Sequence, residues 1–324
     1  MQDVAQLANV SLITVSRAIN TPGRVAPATL AAVQQAIRAT GYVHNLAASA
    51  LASSHSRVIG AIVPTIDNSI FAETVRGLSE TLAASGYQLL LGQSGYNLQT
   101  EEALVQAFLG RRVDGLVLTG GRHSKMVRQA VHQSGAPVVE TWDLPKRPLG
   151  MVAGFSNAAA GRAVGDFLLQ NGHRRLCFAG GPDERSAQRL AGLRLAIDGR
   201  DGVSLQVEIL AEGASFAGGR CVVATQAASG DLSDAIFFGN DTLAAGALIE
   251  CHHRQIAVPG QLAIVGFADL AIAQVMEPAI TTVRVPTRRM GEVAAEMLLA
   301  RLQGQPIALA VRDLGFELIR RFSA

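Results

Sequence analysis

Ile13 and Arg17 stand four residues apart in the stretch "DVAQLANVSLITVSRAIN" (residues 3–20), so on a helix they share one face, with Ser16 beside them. That pairing suits the major groove of DNA. Apolar tips pack there against thymine methyl groups, and a guanidinium grips guanine O6 and N7. Leu12, Ile13 and Arg17 are therefore candidate base readers, and Ser11, Thr14 and Ser16 complete the DNA-facing set. The plain alternative is that Leu12, three residues before Val15, and Ile13 belong to the helix core. A second group lies further along the chain: Asn68, Phe71, Tyr96, Phe155, Asn240, Asp241 and Asp269. Amides and carboxylates can take several sugar hydroxyls, while aromatic rings cover the faces of a small ligand. Here too a bland reading competes. Asn240 could merely cap the helix that begins at Asp241, and Phe71 or Phe155 could be plain core.

The elements that must position the first group are short helices. Residues 3–8 read as one helix and Ala8-Asn9-Val10 as a tight turn, in which Asn9 tolerates the left-handed backbone. Ser11 is the expected N-cap of a helix running to about Asn20, with Val15 and Ile19 facing inward. Pro27 and Thr29 open a third helix that ends at Gly41, with Leu30, Val33 and Ile37 on one face. Two short helices, a tight turn and a supporting helix form an all-α helix-turn-helix head.

The second group requires a different scaffold. From Val58 onward, short apolar runs such as "VIGAIVP", "YQLLLG", "VDGLVLTG", "APVVETW", "RLCFAG", "SDAIFFGN" and "LAIVGF" alternate with helix-period segments. That alternation predicts an α/β body with parallel sheets covered on both faces, where ligands sit beyond the carboxyl ends of strands. About ten such units exceed one sheet comfortably, so two lobes are expected. The Ser-rich "SSHS" at 53–56 reads as a connector, dividing the chain into a head over 1–44, a linking segment over 45–57 and a body over 58–324.

Composition narrows the class. The 324 residues are 49% apolar and 17% charged, ample for a packed core. Net charge is only +2, but residues 1–57 carry four arginines against Asp3, leaving +3 there and −1 in the rest. A weakly basic head on a neutral body fits a nucleic-acid contact. Cys177, Cys221 and Cys251 are odd in number and widely spaced, as expected of reduced, mostly buried thiols. Apolar runs long enough to span a membrane and a secretory leader pattern are both missing, which predicts a cytoplasmic protein without a membrane partner. Nothing resembles the G-x-S-x-G, phosphate-loop, H-E-x-x-H or G-x-G-x-x-G signatures, and adjacent Cys251-His252-His253 point to different helix faces. An enzyme and a bound cofactor or metal are not expected.

The opening stretch, continued by "VAPATLAAVQQAIRATGYVHNLAASALAS", resembles the head of the LacI/GalR family of bacterial transcription regulators, and the likeness extends along the chain. It implies a periplasmic-binding-protein-like two-lobed body, a homodimer on double-stranded operator DNA, and a small effector between the lobes. It also implies that Asn45, Ala48 and Leu51 belong to a hinge helix, with Leu51 driven into the minor groove as an apolar wedge. Arg189 matches a position that holds an arginine in sugar-binding members; a surface ion pair is its alternative. There are departures. The first helix opens at Met1-Gln2-Asp3 without the family's preceding polar and basic residues, and Ser49 stands where an arginine is common. Ala268 and Ser156 replace frequent aspartates. Fewer carboxylates beside Arg189 suggest an anionic effector, and "GYQLLLGQSGYN", "GPDERS" and "RRMGEVAAEMLLARLQG" look like the gluconate repressor branch. A sugar acid is the expected effector, its carboxylate near Arg189 and near Arg122 or His123.

Overall fold

The computed structural model describes residues 1–42, 55–66, 69–211 and 213–324. Asn45, Ala48, Leu51 and Asn68, and with them the expected hinge helix, lie outside those residues. The chain divides into two compact units, Met1–Ser56 and Arg57–Ala324.

In the first unit, α1 (Gln2–Leu7), α2 (Leu12–Asn20) and α3 (Pro27–Thr40) pack around Val4, Ala5, Val15, Ala18, Val33 and Ala36. Local chemistry sets each boundary. Asn9 adopts φ 51°, allowing the turn between α1 and α2. The Ser11 hydroxyl accepts a hydrogen bond from the Thr14 amide at 3.2 Å, and Gly41 closes α3 at φ 63°. The α1 helix has no side-chain cap.

The second unit holds two parallel sheets. The first has β1 (Val58–Val63), β2 (Gln88–Gln93), β3 (Gly115–Thr119), β4 (Val138–Thr141), β5 (Met151–Gly154) and β11 (Val311–Asp313) in the order β11-β5-β4-β3-β1-β2. The second runs β7-β6-β8-β9, built from β6 (Arg175–Gly180), β7 (Ser204–Ile209), β8 (Ala235–Phe238) and β9 (Ala263–Val265). Central strands are buried along nearly their whole length, as both-face coverage demands, whereas edge strands β2 and β7 are largely half-exposed. A small antiparallel pair, β10 (Thr282–Arg284) with β12 (Glu317–Ile319), forms a third sheet, joined to the end of β9 and the residues after it by isolated bridges Val265–Thr281 and Ala268–Arg284.

Helices α4 (Ala72–Ala84), α5 (Leu98–Gly110), α6 (Lys125–Ser134) and α12 (Thr287–Leu302) flank the first sheet. Met290, Val293, Ala294, Met297 and Leu298 of α12 are buried against that lobe. Helices α7 (Asn157–Gln170), α8 (Glu184–Ile197), α9 (Phe216–Ser229) and α10 (Asp241–His253) flank the second, followed by short α11 (Ala271–Val275). Glycines let α7 and α8 approach closely: a Cβ on Gly161 would strike the Arg189 carbonyl, and one on Gly192 the Ala158 carbonyl. All three cysteines are free; Cys177 and Cys251 are buried and their thiols pushed up to about 12 by burial, while Cys221 is exposed, in keeping with the expected mostly buried thiols. Among the described residues no helix is long and apolar enough to cross a membrane.

Candidate functional site

On the head, the second helix presents the face expected from its spacing. Val15 is fully buried, while Leu12 and Ile13 are 44% and 64% exposed, so neither is core. Arg17 is exposed beside them, and Ser11 and Thr14 join through their hydroxyls at 2.9 Å. An exposed pair of branched apolar side chains costs solvation in isolation, and a groove lined with methyl groups offsets that cost.

In the body, a cavity of about 530 Å³ opens at the carboxyl ends of β1, β2, β4, β6, β7 and β8. It falls where ligands bind parallel sheets. Phe71, Tyr96, Arg189 and Asn240 line it, together with Pro64, Gln93, Asn97, Trp142, Asp183 and Arg185, which the sequence reading passed over. Two of its walls are charged. Arg185 sits over the rings of Phe71 and Tyr96, at 5.3 and 5.8 Å from their centroids, and Arg189 sits 4.3 Å over Phe267. Arg189 Nη1 donates to Asn157 Oδ1 at 2.7 Å, and Asn157 Nδ2 donates to the Trp142 carbonyl at 2.9 Å. That relay ties the arginine of one lobe to a strand end of the other. Arg189 Nε is buried without a hydrogen-bond partner among the described residues.

Asp183 is the one carboxylate among the described residues lining this cavity, against two guanidinium groups. Its side chain caps α8 at the Ser186 amide and approaches Arg185 Nε to 3.5 Å. Burial pushes its carboxyl up, but Arg185 and Arg189 outweigh that and hold it below the ordinary carboxylate range. Burial draws Arg189 down to about 10, with Asp183 opposing, so it is cationic at neutral pH.

Several expected ligand contacts are spent elsewhere. Phe155 is fully buried between Trp142 and Phe267, at ring separations of 6.1 and 6.0 Å, and supports the cavity wall from behind. The Asp269 carboxylate accepts from Arg284 Nε at 2.7 Å and Arg321 Nη2 at 2.6 Å. Asp241 accepts from the Thr282 hydroxyl at 2.6 Å and the Leu270 amide at 2.7 Å; burial lifts its pKa to about 6. Asn240 does both jobs, lining the cavity while its Oδ1 caps α10 at the Leu243 amide.

His123 is the largest departure. Its ring is fully buried; Nδ1 donates to Glu101 Oε1 at 2.6 Å and Nε2 donates to the Gly120 carbonyl at 3.2 Å, with Glu140 Oε1 at 3.4 Å. The Gly120 carbonyl and the Glu101 carboxylate each accept, so both nitrogens carry protons. Burial draws the imidazole down, yet the bonds and charges of Glu101 and Glu140 win and raise it to about 9. The residue is a buried clamp rather than a ligand contact. Arg122, its neighbour, is exposed and comes within 3.8 Å of Glu184.

A helix-turn-helix head joined to a two-sheet body with a cavity at its strand ends defines a DNA-binding regulator that senses a small molecule. The chain belongs to the LacI family of bacterial regulatory proteins and is a transcription repressor, not an enzyme. Residues 1–45 match the family description "Bacterial regulatory proteins, lacI family", and residues 166–324 match "Periplasmic binding protein-like domain". HTH-type transcriptional regulator GntR of Escherichia coli (strain K12) is 34% identical over 321 residues, covering 98% of this chain and 96% of its own. GntR of Pseudomonas aeruginosa is 36% identical over 326 residues, covering 100% and 95%. The crystal structure of a LacI-family transcriptional regulator from Silicibacter pomeroyi superposes with a TM-score of 0.93 at 29% identity, covering 99% of this chain and 98% of that one.

Proposed function

We propose that the protein acts in the cytoplasm as a homodimer that holds a two-fold operator through paired heads and releases it when the body captures a sugar acid such as gluconate. The observation that carries the effector class is the pairing of Arg185 and Arg189 against the single carboxylate of Asp183. A neutral sugar leaves that excess charge uncompensated, whereas a carboxylate relieves it and can satisfy the buried Arg189 Nε. Asn97, Asn240 and Gln93 supply amides for hydroxyls, and Phe71, Tyr96 and Trp142 supply apolar faces. Family likeness to GntR-type regulators supports the same class.

On the head, Leu12, Ile13 and Arg17 read bases, and Ser11, Thr14 and Ser16 flank them. Asn45, Ala48 and Leu51 are proposed as a hinge contacting the minor groove between head and body. The division into a head over 1–44, a hinge over 45–57 and a body over 58–324 belongs to this reading.

Footprinting on the DNA upstream of its gene, with and without gluconate, tests the proposal: a protected palindrome that gluconate exposes is expected. Calorimetry with gluconate, galactose, ribose and purines separates effector classes, and binding of only a neutral sugar or a purine overturns the sugar-acid assignment. Arg17→Ala should weaken operator binding more than random-DNA binding; equal loss on both would reduce Arg17 to a phosphate contact.

A further inference from the structure

We infer a second ligand site, for a small phosphorylated sugar, in a cleft separate from the effector cavity. This cleft, about 750 Å³, runs between the loop Asp143–Arg147 of the first lobe and the beginnings of α7 and α8 in the second. The two spaces share no lining residue, and a smaller pocket that includes Tyr96, Arg122, Asp183 and Glu184 borders both at the start of α8. Arg185 and Arg189 line the effector cavity, whereas Glu184 and Gln188, each one residue earlier, line the cleft. Gln188 Nε2 donates to Asp143 Oδ2 at 2.8 Å, joining the lobes at the cleft.

The charge of the cleft is lopsided. Arg122, Arg128, Lys146 and Arg147 line it against Asp143 and Glu184. Asp143 is already occupied, by Gln188 and by the Leu144 amide at 2.8 Å. Among the described residues Glu184 pairs only with Arg122, at 3.8 Å, with both side chains exposed, a contact that solvent screens heavily. Neither Lys146 nor Arg147 has an ion-pair partner among the described residues, and Arg128 Nη1 donates to the Arg147 backbone carbonyl at 3.2 Å, which holds the Arg128 guanidinium against the loop that carries them. Cations gathered along a concave wall concentrate anions.

The chemistry of the walls points to phosphate. Open, exposed cations gain little from a single carboxylate, but a phosphate monoester carries roughly −1.5 to −2 at neutral pH and three acceptor oxygens for forked guanidinium donors. The cleft volume leaves room for a hexose behind the phosphate. Because both lobes contribute, occupation would favour one lobe arrangement over another, and so modulate the response to the effector.

The test uses the full-length protein at low ionic strength, with glucose 6-phosphate and inorganic phosphate as probes, beside the double variant Lys146→Ala/Arg147→Ala. Glucose 6-phosphate should bind the native protein, persist under saturating gluconate, and lose at least tenfold in affinity in the variant; phosphate alone should bind more weakly at the same place. Gluconate titration of the variant should match the native protein, showing that the fold survives. Displacement of glucose 6-phosphate by gluconate, unchanged affinity in the variant, or no binding by the native protein each overturns the second site. Failure of gluconate to bind in the control arm bears on the effector assignment alone.

Discussion

Arg189 is a cation held entirely by its surroundings: an amide at one nitrogen, an aromatic face beneath, a carboxylate nearby and an unpaired Nε. Arg189→Met keeps bulk but removes the charge, and is expected to weaken gluconate binding at least tenfold in calorimetry, since losing one member of a buried charged pair costs about 2 kcal/mol or more. His123 yields a prediction about pH. Its folded-state pKa of about 9 lies above the ordinary 6.5, so its contribution to stability is complete below about 6.5 and fades as pH rises through 9. Thermal melts of the native protein between pH 7 and 9.5 should therefore lose more stability than those of His123→Gln, which lacks the titrating ring; parallel curves would remove the imidazolium clamp. The two residues also mark what a sequence can reveal. Arg185 and Arg189 are four apart on one helix, a signal available from spacing but overlooked for Arg185. The partners of His123 lie 22 positions before and 17 after it, on different elements, so no local pattern could disclose them.

At the level of elements, the glycines between α7 and α8 reverse an ordinary expectation. Alanine in place of a mid-helix glycine normally stabilises by about 1 kcal/mol. Here a methyl on Gly192 meets the Ala158 carbonyl, so Gly192→Ala should destabilise by about 1 to 3 kcal/mol in urea unfolding. It should also disturb Arg189 and Asn157, which lie on this helix pair. The head's elements were legible because their determinants are local: Asn9, Ser11, Pro27 and Gly41 each fix a boundary within a few residues. The parallel strands were likewise visible as apolar runs. Cavity walls were only half visible. Strand ends pointed to Phe71, Tyr96 and Asn240, but the same rule named Phe155, Asp241 and Asp269, whose rings and carboxylates are consumed by neighbours distant in sequence.

For the whole molecule, the proposed function has effector and operator compete through the arrangement of the lobes. Reciprocal coupling of about 1 to 3 kcal/mol corresponds to roughly a 5- to 150-fold change in affinity. Saturating gluconate should lower operator affinity within that range, and operator DNA should lower gluconate affinity by the same factor, measured by fluorescence of Trp142. That residue is the only tryptophan in the chain, and it forms part of the cavity wall. Unchanged or tighter operator binding under saturating gluconate would overturn release by this effector.

Strand β11 leaves the far end of the polypeptide and pairs in parallel with β5, while α12 packs beside β4 and β5. The first lobe therefore cannot finish assembling until the ribosome has delivered some three hundred residues, although its opening strand emerges before residue 65. Message truncated upstream of that late strand would leave the β5 edge bare, and such a product would be prone to clump or be degraded instead of serving as a half-working regulator.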